Sequence, residues 1–111
     1  MGAIVSADRN RVQLVGTLGA EPEMRIAPSG SPVLKLRFYT QEAGINEWHR
    51  VTVWGPLAGT LNQYLRKGDR LVVEGRLQTS SYEKNGEKRY STEIVAKTVL
   101  RVLNGEGQVQ K

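Results

Sequence analysis

Residues 33 to 40 read VLKLRFYT, and their alternation limits the fold more than any other feature of the chain. Leu34, Leu36 and Phe38 fall on one side of an extended strand. Lys35, Arg37 and Tyr39 fall on the other, because successive side chains of a strand point to opposite faces. A segment patterned this way buries one face and leaves a basic, aromatic face wet. The same period recurs along the chain. RVQLVGTL (11 to 18) is a first strand and VLKLRFYT a second, with the turn APSGSP (27 to 32) before it. EWHRVTVW (47 to 54) is a third, where Val51, Thr52 and Val53 form a β-branched run that disfavours helix. DRLVVEGRLQT (69 to 79) is a fourth, and a fifth runs from about 88 to 103 beyond the hairpin signal Asn85-Gly86.

One segment has helical spacing. Pro56 suits a first helical turn, and Leu57, Leu61, Tyr64 and Leu65 follow at intervals of three and four. Lys67-Gly68 supplies a basic last turn and a glycine stop, so a helix is expected over 56 to 67. The expected fold class is all-β. Five strands with one short helix between the third and fourth match the five-stranded Greek-key barrel of the OB-fold. An SH3-like barrel lacks a helix at that place, and a small α+β sandwich stays open. The expected organisation is one domain over 1 to 104, with GEGQVQK supplying a short, flexible polar tail over 105 to 111.

The third strand concentrates unusual residues. It holds both tryptophans and the sole histidine of the 111-residue chain. Strand phase places Trp48, Arg50, Thr52 and Trp54 on one face and His49, Val51 and Val53 on the other. The valines mark the core side, so the tryptophans point to solvent. Exposed aromatics serve either a protein interface or a stacking surface. The neighbouring wet faces favour stacking: Lys35, Arg37 and Tyr39 from the second strand, Arg70 and Arg76 from the fourth, and Tyr82, Lys84, Lys88 and Arg89 around the hairpin. Rings on which bases stack, interleaved with cations that follow phosphates, suit a single-stranded nucleic acid; a duplex hides its base faces. The bland reading of the hairpin is a solvated ribbon that resists edge aggregation. The net charge of +5 fits an anionic partner.

Other classes of function find little support. The chain has no cysteine, hence no disulfide, thiolate chemistry or cysteine zinc site. No nucleophile elbow, phosphate loop or HExxH motif occurs, and no cofactor or metal is expected. His49 has valine neighbours in phase and reads as a packed or interface residue. No apolar run spans a membrane, so a cytoplasmic, nucleoid-associated protein is expected.

With these residues in place, the chain resembles the bacterial single-stranded DNA-binding protein family. NRVQLVGTLGAEPEMR, NEWHRVTVWG, YLRKGDRLVVEGRL and RYSTEIVA carry the resemblance across about 9 to 103. It implies an OB-fold homotetramer, a dimer being the alternative, that wraps single strands during replication, recombination and repair. It implies base stacking at Trp48, Trp54 and Tyr82, basic positions near the strand at Arg50, Lys67 and Arg25, and a subunit interface at His49. The chain departs from the pattern where a further stacking tryptophan would fall at Gly44, where the loop between the second and third strands is shortened, and where basic positions are Ser80 and Ser81. The family's usual tail, which ends in acidic residues and a Phe and recruits replication and repair enzymes, has no counterpart in NGEGQVQK. A dimeric relative without such a tail, the primosomal replication protein N, supplies the rival reading: an adaptor in replication restart.

Overall fold

The computed structural model describes residues 7–103, so the tail expected over 105 to 111 lies outside the described residues. Six strands and one helix follow in the order β1 (Val12–Leu18), β2 (Glu23–Ile26), β3 (Pro32–Glu42), β4 (Ile45–Trp54), α1 (Pro56–Tyr64), β5 (Arg70–Lys84) and β6 (Glu87–Val102). The sheet order is β1-β5-β6-β4-β3-β2, and an additional β1–β3 pairing closes the first five of these into a barrel. That closure rests on two register pairs, Thr17↔Tyr39 and Leu18↔Phe38. The expected OB-fold barrel is therefore present. Its five strands are β1, β3, β4, β5 and β6, and the helix sits between β4 and β5.

The extra strand, β2, pairs with the start of β3 from Glu23↔Lys35 to Ile26↔Pro32. Sequence reading placed no strand there because Glu23, Arg25 and Ile26 are exposed, and no alternation survives in four residues. β3 lends its first half to β2 and its second half to β1, which is how one long strand serves two neighbours. β4 and β6 run parallel and pair only at Val51↔Ile94 and Thr52↔Val95.

The core is what the alternation required. Leu34, Leu36 and Phe38 of β3, Val51 and Val53 of β4, and Leu71 and Val73 of β5 are almost wholly buried, with Ala58, Leu61 and Leu65 from the helical segment packed among them. Each large side chain buried this way contributes roughly 1.5–3 kcal/mol. α1 ends three residues earlier than expected. Leu65 turns extended (φ −78°, ψ 141°) while its N–H reaches the Leu61 carbonyl, and its side chain enters the core. Gly68 is thus not the helix stop; its N–H donates to the Leu18 carbonyl at 2.8 Å and ties the end of β1 to the return into β5.

Two tight turns set the strand phases. Ala43 and Gly44 have φ of 52° and 79°, and Asn85 and Gly86 have φ of 55° and 79°. Positive φ at both central residues is the primed turn that matches strand twist. The Asn85-Gly86 hairpin is as expected. Ala43-Gly44 shows why the loop between β3 and β4 is short: it is a two-residue hairpin loop, and Gly44 is fitted to that backbone. No helix among the described residues is long and apolar enough to cross a membrane.

Candidate nucleic-acid interface

Strand register assembles one outer face from five strands. Across β3 and β4 the pairs are Val33↔Trp54, Lys35↔Thr52, Arg37↔Arg50 and Tyr39↔Trp48. β2 adds Arg25 beside Val33 and Glu23 beside Lys35. In the other direction Thr52 pairs with Val95 of β6, and Val95 pairs with Arg76 of β5. Residues of successive strands in register share a face, so rings and cations far apart in sequence become neighbours.

The rings lie at the two ends of this face. Trp48 is 59% exposed and Trp54 47% exposed, although Val51 and Val53 between them are fully buried. Tyr39 and Trp48 pack with centroids 5.1 Å apart and planes tilted by 46°. Six residues of strand separate the two tryptophans by roughly 20 Å, too far for both rings to clamp one planar group.

Between the rings lie the cations. Arg37 and Arg50 are direct cross-strand partners, a like-charge pair that destabilises a sheet when nothing screens it. Both are exposed, and among the described residues neither makes an ion pair. Arg50 Nη1 donates to Ser91 Oγ of β6 at 2.8 Å, which fixes its guanidinium over the β4–β6 junction. Lys35 is held differently. Its Nζ donates to Thr52 Oγ1 at 3.3 Å and lies 3.6 Å from Glu93 Oε2, the carboxylate oxygen to which Thr52 donates at 2.7 Å. Thr52 is in phase with the tryptophans, but it is wholly buried under this network and does not face solvent. Placing it on the wet surface with Trp48, Arg50 and Trp54 is thus corrected: strand phase gives a direction, and neighbours decide exposure.

The hairpin of β5 and β6 extends the face as an arm. Residues 79 to 90 are all exposed. Tyr82 pairs with Arg89, and Lys84 with Glu87, so Tyr82, Lys84 and Arg89 share the arm face that continues from Arg76. Lys88 falls on the opposite face, where its Nζ lies 5.8 Å from the ring centroid of Tyr90. Arg70 is likewise off the platform, in register with Thr17 and Val102. Lys67 lies between α1 and β5, its N–H donating to Glu21 Oε2 at 3.2 Å. Arg25 is exposed on β2 and ion-paired with Glu23 at 3.0 Å. His49 is half-buried on the core side, sharing a 3.0 Å hydrogen bond with Thr40 Oγ1 and lying 6.2 Å from the Phe38 ring centroid.

Ser91 and Glu93 carry no site signal in the sequence. Their stretch, RYSTEIVAK, alternates visibly, but only the parallel register with β4 puts Glu93 beside Lys35 and Ser91 beside Arg50. Gly19, against which the Trp48 ring rests, reads from sequence only as the close of the first strand.

The single-strand binding protein family matches this chain over residues 9–102, from just before β1 to the end of β6. The chain belongs to that family. Among curated proteins it resembles the single-stranded DNA-binding protein 1 of Chlorobaculum tepidum, 43% identical over 108 aligned positions, which cover 87% of this chain and 66% of that relative. The chain thus spans just under two thirds of that relative's length. Both comparisons point to single-strand binding rather than to the primosomal adaptor. For this member of the single-strand binding family, the position where the resemblance would place a further stacking tryptophan is the turn residue Gly44.

Proposed function

We propose that this protein binds single-stranded DNA by base stacking and phosphate contacts, without catalysis and with little sequence preference. The observation that carries the reading is the cross-strand pair Arg37 and Arg50, without a carboxylate partner among the described residues, set between the Tyr39–Trp48 ring pair and Trp54. A phosphate lying between two guanidiniums relieves their repulsion, and bases further along the strand in each direction can meet the rings. The proposed contact residues are Trp48, Trp54, Tyr82, Tyr39, Arg50, Arg37, Lys35, Arg25, Arg76, Lys84 and Arg89. Lys67 and Lys88 lie off this face and serve only if the strand wraps beyond it.

Titration with oligo-dT at low salt tests the reading through tryptophan emission. Strong quenching is expected, with log affinity falling against log salt by about 0.7 per phosphate contacted. Unchanged emission at saturating oligomer sinks it. Oligo-U in parallel reports whether the 2′-hydroxyl matters, since stacking does not read it.

The same proposal includes self-association. Val15, Val72 and Leu100 are register neighbours across β1, β5 and β6, in phase opposite to the buried Leu71 and Val73, and Val15 and Leu100 are 50% and 58% exposed. A second copy of the chain would cover this apolar row, and His49 is a candidate for a further contact. Such an assembly would hold exposed strands during replication, recombination and repair.

A further inference from the structure

The Trp48 indole rests on backbone. A Cβ built on Gly19 would stand 2.4 Å from Cζ3 and 2.5 Å from Cη2 of Trp48, and 3.3 Å from Cδ2 of Tyr39. The benzo end of the indole therefore occupies the space that a side chain at residue 19 would fill. The backbone beneath it is held firmly. Gly19 N–H donates to the Arg37 carbonyl at 2.7 Å, and Leu18 just before it is tied through N–H and carbonyl to Asp69 and Gly68 at 2.9 and 2.8 Å. Tyr39 packs tilted against the same indole at 5.1 Å. The ring is thus braced by protein on one side while more than half of the residue stays exposed.

We propose that Gly19 is a positioning residue: the absence of its side chain seats Trp48 at the angle from which it stacks a base. The proposal rests on the single-strand-binding reading and adds to it a residue that touches no nucleic acid. Gly19 has no positive φ that alanine would resist, and the atoms a Cβ would strike are the far end of a side chain rather than main chain. Gly19→Ala therefore displaces the indole and leaves the barrel standing.

The experiment uses a Trp54→Phe background, in which Trp48 is the sole tryptophan. Without nucleic acid, Gly19→Ala should shift the Trp48 emission maximum and raise its quenching by acrylamide, while the circular-dichroism melt stays cooperative. Affinity for oligo-dT should fall about tenfold, within the range of one lost stacking contact. Gly59→Ala, in the helix with nothing within 4 Å of its built Cβ, should change neither reading. Unchanged emission and quenching in Gly19→Ala overturns the seat. A displaced ring with full affinity overturns the positioning role. Should Gly19→Ala fail to fold, the anisotropy decay of Trp48 in the Gly19 protein decides: decay at the rate of whole-molecule tumbling supports a seated ring, and fast independent motion refutes it. If oligo-dT binds none of these proteins, the functional reading fails, and the emission shift still reports on the seat.

Discussion

Trp54 and Glu93 belong to the same outer face and are expected to act in opposite directions. Trp54 stands at the β2 end of the platform, 47% exposed, in register with the buried Val33. Trp54→Ala removes a stacking surface and should weaken oligo-dT binding by roughly 1–3 kcal/mol, read by titration with a labelled oligomer. Full affinity would take Trp54 out of the site. Glu93 is a carboxylate within the basic face, 3.6 Å from Lys35 and accepting the Thr52 hydroxyl. It neutralises a cation that a phosphate would otherwise meet. Glu93→Gln keeps an acceptor for Thr52 while freeing Lys35. Affinity should rise, and the salt slope should steepen by about 0.7, as one more phosphate contact requires. The fold should change by no more than about 1 kcal/mol, because Lys35 and Glu93 are both partly solvated. A drop in affinity with the fold intact would show that Glu93 serves the bound strand directly.

At the scale of elements, the β5–β6 arm is separable from the barrel. Its residues from 79 to 90 are all exposed and continue a two-stranded ribbon that has little stability of its own. Ser80 and Ser91 are register partners, as Lys84 and Glu87 are at the present turn. Replacing residues 81 to 90 with Asn-Gly therefore closes the ribbon two full pleat repeats lower without changing its phase. The urea-unfolding free energy of the barrel should move by less than about 1 kcal/mol. The number of nucleotides covered and the affinity should both fall, since Tyr82, Lys84 and Arg89 leave with the arm. Loss of cooperative unfolding would show instead that the arm supports the core. β4 is the opposite case. It has buried valines on one side and the platform on the other, so one strand carries core and site together, and its phase cannot slip without losing both.

For the molecule as a whole, the barrel presents two unlike surfaces. One is cationic and aromatic; the other carries the Val15, Val72 and Leu100 row. Leu100→Glu places a charge in that row, where a covered face would have to bury it. Light scattering should show an oligomer for the parent protein and a smaller species for Leu100→Glu, with oligo-dT still bound by each subunit at reduced overall affinity. A parent that is monomeric at micromolar concentration ends the assembly proposal.

Much of this was legible in the chain because a strand's period is two. VLKLRFYT and EWHRVTVW each announce a dry face and a wet face, and the buried set Leu34, Leu36, Phe38, Val51 and Val53 follows from alternation alone, as does the outward turn of Trp48 and Trp54. The helix was legible from its leucine spacing but not its end, because burial of Leu65 overrode the glycine stop. What alternation cannot carry is which residue lies beside which. Register is a non-local property, set by barrel closure, the brief parallel pairing of β4 with β6 and the two-residue turns. Tertiary structure alone therefore put Arg37 opposite Arg50, buried Thr52 beneath Lys35 and Glu93, sent Lys88 to the far face of the arm, and laid the Trp48 ring against Gly19. The side a residue points to is a local steric matter written in the chain; the company it keeps there is decided only when distant strands pair.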